Sequence, residues 1–113
     1  MKGRASGRAA VVFVTCPTRL VGRRIAGELI REHLAACVNL IPGVESLFTW
    51  QGKTERCHEV LLVIKTTARC FEDLRKTVLR LHPYKVPEII SLPLTAGHPP
   101  YLAWVQRSTK LPS

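Results

Sequence analysis

The sequence is short of acids, of aromatics and of long apolar runs. Its 113 residues hold 8 Asp and Glu against 17 Lys and Arg, with 6% aromatic residues and a single Met. No stretch approaches the roughly 18 uncharged apolar residues that a membrane helix needs, the longest being Ala9–Val14 and Val60–Ile64. A transmembrane segment is therefore excluded. Cys16, Cys37, Cys57 and Cys70 contain no CxxC pair and no zinc-ligand spacing, which argues against a knuckle or ribbon. No export signal precedes them, so reduced thiols are expected rather than disulfides. The aromatics are not clustered among bases as in single-strand nucleic-acid binders, and no repeat or linker divides the chain.

What is present is an ordinary globular composition, 46% apolar and 22% charged, too apolar for disorder and of a length for one core. Residues 1–10 read as a flexible basic tail and 11–110 as a single domain. The tail carries Lys2, Arg4 and Arg8, +3 of the +9 net charge, and the remaining bases are spread from Arg19 to Lys110. Dispersed bases predict a solvated surface and no specific nucleic-acid partner. The expected location is cytoplasmic, an upstream targeting segment being left open.

Hydrophobic patterning gives the elements. Ala9–Thr15 is β-branched and apolar without alternation, as in a central strand. Pro17 stops it, Thr18 is placed to cap a helix, and Val21, Ile25 and Leu29 mark one helical face running to about Leu34. Cys37–Ile41 opens a second strand, Pro42-Gly43 bulges it, and Val44–Trp50 continues it. Gln51-Gly52-Lys53 makes a tight turn, and Glu59–Thr66 returns as a buried strand. Phe71, Leu74, Val78 and Leu81 form the face of a second helix, with Thr67 as its cap and Pro83 at its end. Val86–Leu94, with two prolines, reads as an edge strand, and Pro99-Pro100 starts a short last helix. The order is that of an α+β, ferredoxin-like βαββαβ fold with a C-terminal short helix. Both helices then lie on one face of the sheet, and the apolar character of strands one and three on both faces predicts an oligomer.

The segments VVFVTCP, LAACVNLIPGVESLFTWQGK, EVLLVIKTT, LHPYKVPEII and LPLTAGHPPYLAWV resemble the CutA family in order and spacing over roughly Ala9 to Thr109. The resemblance implies a homotrimer of ferredoxin-like subunits whose long hairpins reach over their neighbours, an architecture also seen in trimeric nitrogen-regulatory signalling proteins. It further implies tolerance of divalent ions, copper binding in bacterial members, a link to acetylcholinesterase-anchoring proteins in animal members, and no settled catalytic activity. The bacterial copper site is taken to use a strand-one cysteine and two adjacent histidines. Here the cysteine position falls on Val14, with Cys16 two residues on, and Leu81 precedes the single His82.

The topology by itself brings the end of strand one, the hairpin tip and the end of helix two to one end of the subunit, called here the upper end, with Cys37 and Cys70 at the lower. Cys16 and His82 are thus the candidate metal ligands, a soft thiolate and imidazole pair suited to copper. Cys16 precedes a helix start, where the dipole and Arg19 are expected to lower its pKa. Trp50, Tyr84 and Trp104 are the candidate trimer-interface anchors. The function expected is non-catalytic, metal binding or scaffolding. The alternatives are a cysteine-dependent or acylphosphatase-like enzyme on the same fold, the latter weakly echoed by Thr18-Arg19, or a basic nucleic-acid-binding module.

Overall fold

The computed structural model describes residues 7–110. Strand β1 spans Ala9–Cys16, helix α1 Arg19–Arg31, β2 Cys37–Trp50, β3 Lys53–Thr67, α2 Phe71–Leu81, β4 Ile89–Pro93 and α3 Pro99–Ser108, with a 3₁₀ turn Ala68–Cys70 ahead of α2. The sheet order is β2-β3-β1-β4, every pair antiparallel, which is the ferredoxin-like arrangement with β4 on an edge. Of the expected tail, residues 1–6 lie outside the described residues, while Ala9 and Ala10 are already buried strand.

Alternation along β1 and β3 sends Val12, Val14, Cys16, Val60, Leu62 and Ile64 to one face, where α1 and α2 cover them with Ile25, Leu29, Leu74 and Val78. Gly22 lets α1 sit close on the sheet, since a Cβ there would stand 3.3 Å from the Leu40 and Leu62 methyls. The other face carries Val11, Phe13, Leu61 and Val63, all half-buried, and beside them Ile90 and Leu92, exposed. Register makes these one patch: Phe13 stands opposite both Val63 and Ile90, and Val11 opposite Leu92. Helix α3 meets only the lower end of the strands, where Thr109 reaches the Thr67 hydroxyl at 3.4 Å.

The hairpin of β2 and β3 outgrows this layer. Cys16 is opposite Val60, yet β3 begins at Lys53, so its first seven residues pair with β2 beyond the end of β1. The apolar run places the start of this strand at Glu59, because Lys53–His58 are mostly polar and exposed and only ladder bonds mark them as strand. The β2 register shifts between Ile41 and Val44, with Gly43 at φ 77° forming the bulge at Pro42-Gly43. Gln51 and Gly52 at φ 51° and 80° make the tight reversal. The ribbon stretches the molecule to 44 × 27 × 26 Å.

Three sequence expectations are corrected. Helix α1 ends at Arg31, not near Leu34, because His33 adopts φ 60° and closes a Schellman motif, its N–H on the Ile30 carbonyl at 3.1 Å and that of Leu34 on Leu29 at 2.9 Å. Thr67 makes no capping bond; the 3₁₀ turn intervenes and its hydroxyl faces Thr109. Strand β4 is confined to Ile89–Pro93, since Pro87 has no N–H for the ladder. Thr18 does cap α1, its hydroxyl accepting from the Val21 N–H at 3.2 Å.

The exposed His33 carries a left-handed strain that glycine would not. His33→Gly is expected to raise stability by about 0.5–1 kcal/mol per chain, and His33→Val to lower it by at least as much, in urea unfolding. Equal midpoints for the two variants would contradict this account of the helix end.

Candidate functional site

At the upper end, α2 stops because Pro83 cannot continue it. Pro83 also pushes its predecessor out of the helical region, and His82 takes φ −84°, ψ 136°. The turn throws the imidazole back over the end of β1. There one ring nitrogen, Nδ1, accepts the Tyr84 backbone N–H at 3.1 Å, and the other, Nε2, lies 2.8 Å from the Thr15 carbonyl. The amide can only donate, so Nδ1 is the acceptor and Nε2–H donates to Thr15. His82 is buried, and the Tyr84 ring lies against it at 4.8 Å between centroids.

Beside this pair sits a carboxylate that sequence reading did not single out. Glu59 is buried at the point where β3 leaves the sheet, and the Tyr84 hydroxyl donates to its Oε2 at 3.3 Å. Partial burial, then Glu59, pushes the Tyr84 phenol up, and the same two causes raise the Cys57 thiol. The available signal was an acid followed by the apolar run VLLVI, a position that a central strand buries.

Cys16 is brought to the same end, next to the carbonyl that His82 holds. Its expected low pKa is corrected. The side chain is fully buried with Val14 and Val60 in the core, so burial, with Glu59 second, pushes the thiol from 9.0 up to about 11. As they stand, a protonated thiol and an imidazole with both nitrogens engaged offer no open ligand set, and the fit to copper is poor. Nor do they form a nucleophile and base. Among the described residues no group of three His, Cys, Asp or Glu is placed to hold a metal ion.

The remaining candidates are dispersed. Trp50 at the hairpin tip is 61% exposed, Tyr84 39% and Trp104 38%; Trp104 packs on Tyr101 at 5.5 Å in α3. Leu47 and Phe48 on the ribbon are also exposed.

A family model described as CutA1 divalent ion tolerance protein matches residues 10–108. The chain is 46% identical over 99 residues to the divalent-cation tolerance protein CutA of Thermus thermophilus, covering 88% of this chain and 96% of that one. It is 46% identical over 100 residues to the chloroplastic protein CutA of Arabidopsis thaliana, covering 88% of this chain and 55% of the relative, so it spans little more than half of that protein's length. The solved structure of CutA1 from Oryza sativa superposes with a TM-score of 0.88 at 44% identity, over 93% of this chain and 98% of that one.

The Cys16 thiol sets an alkaline limit. Its folded pKa lies above the ordinary 9.0, at about 11, so the folded chain binds more protons than the unfolded one between these values and stability falls there. Denaturant midpoints are expected to be level through neutral pH and to drop between about pH 9 and 11. Cys16→Ala should shallow that drop; an unchanged slope would reject the assignment.

Proposed function

Starting from the fact that the chain belongs to the CutA1 family of divalent ion tolerance proteins, we propose that it acts as a non-catalytic homotrimer with a role in divalent-metal tolerance. The observation that carries the proposal is the uncovered apolar face of Val11, Phe13, Leu61, Val63, Ile90 and Leu92, continuous across three strands. A monomer rarely leaves such a patch in water. The long ribbon with Leu47, Phe48 and Trp50 supplies a second apolar surface, able to lie over a neighbour. Trp50, Tyr84 and Trp104 are read as anchors of these contacts, as half-exposed aromatics are in interfaces.

Copper is the finer part of this reading, and its cost in this chain can be stated. Binding at Cys16 and His82 requires the thiol to lose a proton held up to about 11 and His82 to release either Thr15 or Tyr84. Copper affinity is therefore weak at neutral pH and rises with pH. The location proposed is cytoplasmic; among the described residues no helix is long and apolar enough to cross a membrane.

Sedimentation is expected to give three times the 12.6 kDa chain mass, and Phe13→Asp to abolish that species. A stable monomer at micromolar concentration would overturn the reading. In copper(I) competition titrations, Cys16→Ser should lower the affinity by about tenfold or more, whereas Cys70→Ser at the opposite end should leave it unchanged. Equal behaviour of the two variants would remove Cys16 from the metal reading.

A further inference from the structure

A cleft of about 200 Å³ opens between the first turns of α1 and the bulge of β2, lined by Arg19, Arg23, Leu40, Pro42 and Val60. Its existence follows from two features already described. Gly22 seats α1 tightly on Leu40, Val60 and Leu62, and the register shift at Pro42-Gly43 carries β2 away from the regular sheet at the same level. The helix start is held down while the strand bends off, and the gap between them is the cleft.

Its chemistry is one-sided. Arg19 and Arg23 are four residues apart and project from the same face of the helix. Neither forms an ion pair among the described residues, in contrast to Arg31, Arg75 and Arg80, which are matched by Glu28, Glu32 and Glu72. No acid lines the cleft, and the first turn of α1 holds none. The opposite wall, Leu40, Pro42 and Val60, is apolar. Two guanidinium groups facing an apolar wall suit an oxyanion attached to an apolar body, because guanidinium binds planar and tetrahedral oxyanions with paired N–H donors. The volume is below the range of drug-sized pockets, which restricts the ligand to a small one.

We propose that this cleft binds a small organic phosphate, a monoester dianion with its phosphate on Arg19 and Arg23 and its apolar part against Leu40, Pro42 and Val60. A dianion is favoured over a carboxylate because two unpaired cations meet it. The lining includes neither Cys16 nor His82, although Val60 pairs with Cys16 in the ladder, and binding of a phosphate there requires no metal.

The test is a titration of the native protein with phenyl phosphate, inorganic phosphate and benzoate, followed by calorimetry and by backbone amide shifts of residues 18–23 and 40–44. Saturable binding of phenyl phosphate is expected, several-fold tighter than of inorganic phosphate or benzoate. The double variant Arg19→Gln with Arg23→Gln should weaken it by about tenfold or more without changing the melting temperature, both side chains being exposed. Arg24→Gln, on the same helix but not in the cleft, should leave it unchanged. Four results would overturn the proposal: no saturation, equal loss in Arg24→Gln, benzoate binding as tightly as phenyl phosphate, or phosphate-dependent binding seen only with an oligonucleotide.

Discussion

A sheet has two faces, and in this chain two helices cover only one of them. That constraint organises the rest of the molecule. On the covered side, Val12, Val14, Cys16, Val60, Leu62 and Ile64 lose all or nearly all contact with water against α1 and α2, and the apolar area removed there is the main stabilising term of the single chain. On the bare side the strands are equally apolar, α3 reaches only the lower end, and Phe13, Val63 and Ile90 remain in contact with solvent. The same imbalance gives β1 and β3 their unalternating sequences, which would be wasteful in a monomer with a wet sheet face.

The upper end of the subunit is the place where this layer stops and the ribbon continues. A strand that leaves a sheet exposes polar backbone, and the residues gathered there satisfy it. His82 donates to the Thr15 carbonyl and accepts the Tyr84 amide, and the Tyr84 hydroxyl donates to Glu59. These bonds make the cluster a closed polar seal over the end of the core. They also hold Cys16 protonated beneath it, by burial first and by the Glu59 charge second. A group chosen for softness toward metals is in this position a small apolar core residue. The last turn of α2 is joined to the second half of α1 by Arg80, which pairs with Glu28 and Glu32, exposed contacts that fix helix register more than they add stability.

Where sequence and structure part, the cause is nonlocal. The end of α1 illustrates it: the apolar spacing continues to Leu34, but that residue serves the core as the hydrophobic partner of Leu29 in the Schellman turn, and His33 supplies the left-handed step that pattern alone does not reveal. The start of β3 was hidden for the opposite reason. Lys53–His58 pairs with β2 outside any core, so its side chains carry no burial signal. Thr67 has the residue type of a cap, yet its hydroxyl faces Thr109, 42 residues away.

The order of elements, the one-sided helical cover, the position of the bulge and the meeting of β1, the hairpin and the end of α2 at one end all followed from local signals, apolar periodicity and proline and glycine positions, and from the element order they give. Family likeness followed from the same segments. Tertiary structure alone decided the protonation of Cys16, the tautomer of His82, the burial of Glu59 and the cleft beside Arg19 and Arg23. Those properties depend on distances between residues far apart in the chain, and on the water excluded between them, neither of which a residue's neighbours in sequence specify.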